Sequence, residues 1–440
     1  MQVSVENAGG LTRRMTVQVP PERVEKAVEE KVRRAGRHAK IPGFRPGKAP
    51  YKVLYQRYAD SARAEVASEL VQATYPEAIE QEGLKPAGRP QLELGDQSPE
   101  SGLAYTASFD VYPEIELQGL DKLKVEKPVA EVTDADIDKT IERLREQNKE
   151  FAEVERESAD GDQAVIDFVG RLDGEPFEGG SGEDVEVTLG EGRFLPDLER
   201  ALVGRKPGET FQVDVSFPED YGAEQLAGKT ADFEVTVKSV SEPRLPELDA
   251  AFFQKMGVEE GGETALREKV AESLRREVAN AVDQKVKTQV MDGVLEANPI
   301  DVPEGLVAQE IERMRGEALS RLPQQMRQDP EQAKQLLPDE ALREGAERRV
   351  ALGLLIAEVI SDQGIELDRD RVEAKLDELA AGYEQTEAVK SYYRNNPQMM
   401  QGVEAMVMED QVIERLLEGA KVKEKKTDVD DLLGGEQESA

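Results

Sequence analysis

Few side chains in this sequence could do covalent or metal chemistry. His38 is the single histidine in 440 residues, and there is no cysteine. Thiolate nucleophiles, disulfides and cysteine metal sites are therefore excluded. A Ser-His-Asp arrangement or a histidine metal site would need His38, which lies in a basic run with no nucleophile motif beside it; we assign it to that basic surface. No Gly-x-x-x-x-Gly-Lys-Ser/Thr pattern occurs, and no cofactor or metal is expected. What remains is recognition. Residues Ile41–Pro50 read Ile-Pro-Gly-Phe-Arg-Pro-Gly-Lys-Ala-Pro. Proline fixes φ and removes a donor while glycine permits φ > 0, so this stretch is a stiff loop and not a helix or central strand. It reads equally as a docking plug tipped by Phe44 and Arg45, or as an ordinary turn with Phe44 folded back on the core. Lys31, Arg33, Arg34, Arg37, Lys40, Arg45, Lys48, Lys52 and Arg57 surround it without one acidic residue, in a chain of net charge −35. Such an island fits a polyanionic partner, nucleic acid first, with a solvated helix face as the alternative.

The elements that must position this loop are helical. Pro20-Pro21 opens a helix with Val24, Val28, Val32 and Ala35 as its apolar stripe. A longer helix from about Ala49 to Glu82 carries Leu54, Tyr58, Ala62, Val66, Leu70 and Ala73 on one side. Strands are expected at Val3–Val5, Thr12–Val19, Arg89–Leu94 and Leu103–Tyr112, which makes a compact α+β domain over residues 1–113. The composition, 38% hydrophobic and 34% charged, suits several domains more than one globule. Met1–Gly10 carries no signal-peptide pattern, and no window approaches the ~20 apolar residues of a membrane span, so we expect a soluble cytoplasmic protein.

The segment Gly43-Phe44-Arg45-Pro46-Gly47-Lys48-Ala49-Pro50, set between two helices, resembles the signature loop of the trigger factor family of bacterial ribosome-associated chaperones. The resemblance extends over nearly the whole chain. It implies that Gly43, Phe44, Arg45, Pro46, Gly47 and Lys48 dock the protein on the large ribosomal subunit near the nascent-chain exit, against ribosomal protein and rRNA. The basic run agrees, since phosphate contacts supply position and salt-sensitive affinity.

Residues 114–149 read as a helical or extended linker, with Thr133 and Asp136 as a capping box and Ile137, Ile141, Leu144 and Phe151 on the apolar side. From Gly161 the period changes to two: Ala164–Val169, Val185–Leu189, Phe211–Phe217 and Ala231–Val240 are strands, and Pro196–Val203 is a short helix. Residues 150–245 thus form a β-rich domain wrapped on one helix. It carries 24 acidic against 9 basic residues and is not the polyanion-binding part. Val165-Ile166-Asp167-Phe168, Asp173–Glu178, Pro207-Gly208-Glu209 and Phe217–Gly222 resemble the FKBP family of peptidyl-prolyl isomerases. That likeness implies a catalytic pocket of Phe168, Phe177, Phe194, Leu195, Leu198 and Phe233, with a hydroxyl from Tyr221 and Glu178 at the rim. The alternative is that these aromatics are simply core. Family members often have Pro-Gly-Phe-Glu where this chain has Pro196-Asp197-Leu198-Glu199, which leaves the pocket floor one aromatic ring short.

Residues 246–422 are helical. Leu266, Val270, Leu274, Val278, Val282, Val286, Val290 and Val294 recur at i+4. Each such step drifts 40° at 100° per residue, so over about 43 Å the helix must wind its contacts around neighbours or leave part of the stripe open, the geometry of a protruding arm. Further helices are expected from Pro303, over Leu342–Ile360, 369–381 and 398–418, with Pro323–Pro338 as a polar bend. Eight of ten methionines, including Met314, Met326, Met399, Met400, Met406 and Met408, lie beyond residue 245 and suit either a promiscuous surface or a helical core. The tail 423–440 is charged and expected to be disordered.

The fold class read from the sequence is therefore multidomain α+β: an N-terminal α+β ribosome-binding domain, an FKBP-like antiparallel sheet wrapped on a short helix, and an all-α C-terminal domain with protruding arms that the resemblance makes a cradle for clients. The expected function is that of an ATP-independent chaperone that docks at the ribosome, holds nascent and unfolded polypeptides and isomerises X-Pro bonds. An open apolar cradle also leads us to expect a homodimer off the ribosome, and no membrane partner is expected. A free isomerase, a holding chaperone with a silent β domain and a nucleic-acid regulator are the competing readings.

Overall fold

The computed structural model describes residues 1–37, 42, 44, 49–95, 102–192, 194–217, 226–320, 334–381, 383 and 385–434, with Glu178 as backbone only. Packing divides the chain into two compact units, each drawn from segments distant in sequence: residues 1–127 with 284–425, and 128–283 with 426–440.

At the N-terminus β1 (Gln2–Gly9) and β2 (Thr12–Val19) form a hairpin. The helices α1 (Pro21–Gly36) and α2 (Tyr51–Glu82) follow, then β3 (Pro86–Leu94) and β4 (Leu103–Val111). The sheet is antiparallel in the order β1-β2-β4-β3. Strand alternation sends Met15, Val17 and Val19 of β2, and Leu103, Tyr105, Ala107 and Phe109 of β4, to one face. There they pack with Val24, Val28, Val32, Leu54, Ala62, Val66 and Leu70 of the two helices in one core.

Two stripe positions differ from the sequence expectation. Ala35 and Ala73 are exposed, and their neighbours Gly36 and Thr74 are buried instead. Thr74 can be buried because its hydroxyl donates to the Leu70 carbonyl at 2.7 Å and meets the Tyr105 hydroxyl at 3.0 Å. Gly36 is needed because α1 and α2 cross there: a methyl on it would stand 2.5 Å from the Leu54 side chain. The end of α1 and the start of α2 are thereby clamped together.

The chain continues through β5 (Lys124–Val129) to α3 (Asp134–Gln147). The capping box expected at its start is present: the Asp136 carboxylate accepts the Thr133 N–H at 2.8 Å, and the Thr133 hydroxyl accepts the Asp136 N–H. Then come β6 (Glu150–Val154), β7 (Gln163–Leu172), β8 (Glu175–Thr188), α4 (Pro196–Leu202), β9 (Thr210–Ser216) and β10 (Thr230–Arg244). Their antiparallel sheet runs β6-β10-β7-β8, with β9 also on β10, and it wraps α4.

After α5 (Ala250–Lys255) the helix α6 (Gly262–Ala297) extends for 36 residues. All eight stripe positions are buried, none more than 8% exposed. Of the two outcomes the drift allows, this is winding. Leu266, Val270 and Leu274 pack with Ile137, Ile141, Phe252 and Phe253. Further along, neighbours change. Gly293 lies so close to Leu123 that a methyl on it would stand 2.9 Å away, and Asp292 pairs with Arg348. The division between the two units falls inside this helix.

The remaining helices are α7 (Glu304–Ser320), α8 (Asp339–Gln363), α9 (Arg369–Ala380), α10 (Thr386–Asn395) and α11 (Pro397–Gly419). The helix α10 was not foreseen. Met326 and most of the Pro323–Pro338 bend lie outside the described residues. Among the described residues no helix is long and apolar enough to cross a membrane.

The charged tail is a correction. It is ordered through Gly434, as β11 (Lys421–Lys426) and α12 (Val429–Gly434). Lys421 N–H donates to Leu123 O at 2.7 Å and Thr427 N–H to Val129 O at 3.1 Å, so β11 runs parallel to β5. Val429 and Leu432 are buried, and Leu433 joins the core around Phe252. Backbone pairing and three apolar anchors outweigh a polar composition.

Candidate functional site

The short helix α4 carries the middle of the aromatic site, and its position is set by polar ties at both ends. At its start the Asp197 carboxylate accepts the Ser216 N–H at 3.1 Å. At its end the Ser158 hydroxyl donates to Leu202 O at 2.6 Å and accepts the Arg205 N–H at 3.1 Å, while Ser158 O accepts the Gly204 N–H at 2.8 Å. In between, Leu198 and Leu202 face the sheet and are fully buried.

Glu199 is buried on the same helix, 6% exposed. Its carboxylate accepts the Gly192 N–H at 3.1 Å and the Phe194 N–H at 2.8 Å, fastening to α4 the loop that carries Phe194 and Leu195.

Across from α4 the sheet supplies rings. Phe168 of β7 stands 5.8 Å from Phe194 and 5.9 Å from Phe233 of β10, between ring centres. Phe177 of β8 stands 6.1 Å edge-on from Phe233. These separations are those at which offset and edge-to-face pairs are favourable. Phe233 is 2% exposed and forms the floor, whereas Phe168, Phe177 and Phe194 are half-buried. Leu195 packs on the same cluster. Six of the expected pocket residues are thus brought together. The two polar ones, Tyr221 and the side chain of Glu178, lie outside the described residues.

Two features of this site were not read from the sequence. Phe217 belongs to the cluster, 6.4 Å from Phe177 and 6.5 Å from Phe233. Behind the rings lie three strand glycines. A methyl on Gly170 would stand 2.7 Å from the Phe233 ring, on Gly180 2.8 Å from Phe177 and on Gly182 2.8 Å from Phe168. Each ring therefore lies close against bare backbone. Glycine inside a strand is the general signal for such close approach, and Gly180 and Gly182 carried it.

Beside the cluster, Asp162 is 2% exposed. Burial opposes its charge, but Arg156, with contacts of 2.6 and 3.0 Å, and the Ala159 N–H hold its carboxyl below the ordinary range. Asp162 O accepts the Leu189 N–H at 2.9 Å, which ties the start of β7 to the end of β8.

An apolar, aromatic-walled site of this kind needs no nucleophile to act on a peptide bond. Rotation about X-Pro is slow because twisting breaks amide resonance, a barrier of ~20 kcal/mol. The twisted amide carries less charge on its carbonyl oxygen and loses less on leaving water, so an apolar wall favours it over the planar form.

The second candidate site is the α1–α2 loop. Phe44 is 41% exposed and not folded onto the core. Gly43, Arg45, Pro46, Gly47 and Lys48 lie outside the described residues, as do His38 and Lys40. The basic surface is smaller than the sequence count. Lys31 is paired with Glu65 and Glu69, and Arg33 with Glu29, acids that come from outside the basic window. Arg34, Arg37, Lys52 and Arg57 are exposed and carry no ion pair among the described residues.

An antiparallel sheet wrapped on a short helix, with an aromatic floor between them, defines an FKBP-type peptidyl-prolyl cis-trans isomerase domain. The FKBP-type isomerase model matches residues 154–238, and this domain gives the chain its isomerase activity. On either side, the model for bacterial trigger factor protein matches residues 1–144 and that for its C-terminus residues 264–418. The chain belongs to the bacterial trigger factor family. The trigger factor of Thioalkalivibrio sulfidiphilus is 50% identical over the full length of both chains. That of Alkalilimnicola ehrlichii is 46% identical over all of this chain and 97% of its own.

Proposed function

We propose that this protein is an ATP-independent chaperone that docks at the exit site of the large ribosomal subunit, holds newly made polypeptides open and isomerises their X-Pro bonds. The observation that carries the docking is Phe44, exposed in a loop whose two helices are clamped at Gly36 and Leu54. Residues 43–48 are the docking segment, with Arg34, Arg37, Lys52 and Arg57 as flanking cations for rRNA phosphate. The division of labour follows the sequence: residues 1–113 position the molecule, 114–149 link, 150–245 isomerise and 246–422 hold the client. Exposed Tyr383, Tyr392, Met399 and Met406 are the client-facing candidates in the helical part. The same open apolar surface supports self-association off the ribosome, in the cytoplasm.

In the isomerase domain Phe168, Phe177, Phe194, Leu195 and Phe233 line the X-Pro ring, Leu198 backs them, Tyr221 orients the carbonyl and Glu178 borders the rim. Leu198 in place of an aromatic ring leaves the activity modest. Cosedimentation with ribosomes at moderate salt tests the docking: Phe44→Ala with Arg45→Ala is expected to abolish it, and undiminished cosedimentation would leave a free isomerase. Proline-limited refolding tests the pocket: Phe233→Ala is expected to remove the acceleration, and equal acceleration would remove these residues from the catalytic site.

A further inference from the structure

The strands β5 and β11 bring together two lysine-rich segments almost 300 residues apart in sequence. Strand alternation places Lys421, Lys423 and Lys425 on one face of β11, and Lys124 and Glu126 on one face of β5. The Lys425 ammonium lies 3.2 Å from the Glu126 carboxylate, so the two sets share that face. The opposite face of β5 carries buried Leu123 and Val125. Lys122 and Lys127 are exposed at the margins. Of these six lysines only Lys425 has an ion pair among the described residues, in a chain with 92 acidic side chains. Elsewhere Lys31, Lys139, Lys238 and Lys390 are each neutralised by neighbours.

The frame under these charges is held. Lys421 N–H donates to Leu123 O, and the Gln289 side chain grips Glu126 by both backbone groups, accepting from its N–H at 2.7 Å and donating to its O at 2.8 Å. Alternate lysines on β11 therefore repeat about every 6.7 Å along a straight line.

We propose that this lysine ribbon is an RNA-binding surface that contacts phosphate, independent of the α1–α2 loop. A row of regularly spaced ammonium groups, only one of them ion-paired, is complementary to a polyphosphate backbone, which repeats its charge along one line. Neither strand has an aromatic residue for base stacking or an arginine for bidentate base contacts, so the surface positions RNA without reading sequence. A bilayer would require an apolar face beside the lysines, and on β11 only Val422 is apolar.

The test is fluorescence anisotropy with a fluorescein-labelled oligouridylate and the full chain, across a salt series. Binding is expected for the unaltered chain. The Lys421→Gln, Lys423→Gln, Lys425→Gln variant should lose about tenfold in affinity at low salt and reduce the log K against log salt slope by about 2, as loss of three phosphate contacts requires. The charge reversal Lys423→Glu should lose more than Lys423→Gln, and unchanged melting temperatures should accompany these exposed substitutions. Phe44→Ala with Arg45→Ala should retain the ribbon's share of the slope, so failure of the docking loop and failure of the ribbon are separately visible. The proposal is overturned if the unaltered chain does not bind the oligouridylate, if the triple variant binds it with the same affinity and slope, or if oligoglutamate or phosphatidylglycerol vesicles respond to the triple substitution while RNA does not.

Discussion

The carboxylate of Glu199 accepts the backbone N–H of Phe194 at 2.8 Å, from a helix position that is otherwise buried. A buried polar side chain thus places one ring of the aromatic cluster. Replacing it leaves two backbone donors, those of Gly192 and Phe194, without their acceptor.

Glu199→Ala is expected to lower domain stability by about 2 kcal/mol, the worth of hydrogen bonds to a carboxylate, and to lower kcat/KM for X-Pro isomerisation severalfold. Glu199→Gln keeps one strong acceptor and should fall between. Proline-limited refolding alongside urea titration checks both. An Ala variant as fast as wild type would mean that Phe194 is placed by packing alone.

Gly170→Ala drives a methyl into the Phe233 ring at 2.7 Å. Overpacking of this kind costs about 1–3 kcal/mol and displaces the ring. Both the melting temperature and the isomerase rate should drop. Gly316→Ala, on the helix α7 with nothing within 4 Å, should stabilise by about 1 kcal/mol and leave the rate alone.

Asp162 makes the isomerase domain sensitive to acid. Its folded carboxyl is held below its unfolded value, so its contribution is complete above about pH 4 and is lost as pH falls through the folded value. Thermal melts of Asp162→Asn should show lower stability than wild type at neutral pH, and the two curves should converge as acid is added. A gap that stays constant down to low pH would contradict the assignment.

Leu432 is fully buried although it lies in the charged tail. Leu432→Ala should cost about 2–5 kcal/mol, detectable as an earlier urea transition. A surface-tail substitution such as Lys423→Gln should leave that transition unmoved.

Much of the architecture was legible because it depends on local rules. The two helices that flank the Pro/Gly segment, the capping box at Thr133 and Asp136, the change of period near Gly161 and the i+4 stripe of α6 are patterns of neighbouring residues. Each reports backbone preference or the repeat of one face. Six of the eight expected isomerase residues meet in one cluster, on strands and a helix whose order the sequence made plain. The role of Phe217, Gly170 and Gly182 is contact with side chains from other strands, which spacing along one strand does not encode; Gly180, which meets Phe177 of its own strand, carried only the general signal of a glycine inside a strand.

What the sequence by itself determined is the alphabet and order of this protein: no thiol, one histidine, an isomerase sheet set between an α+β domain and a helical region, and a basic loop in an acidic chain. The tertiary structure alone decided which charges survive and where the winding stripe goes. Lys31 and Arg33 are cancelled by Glu65, Glu69 and Glu29, while Lys421, Lys423 and Lys124 gather around the single Lys425–Glu126 pair with no ion pair of their own among the described residues. Coulomb interactions act over a few ångströms in space and are indifferent to distance along the chain, so the working charge of a surface exists only once the fold has chosen its neighbours.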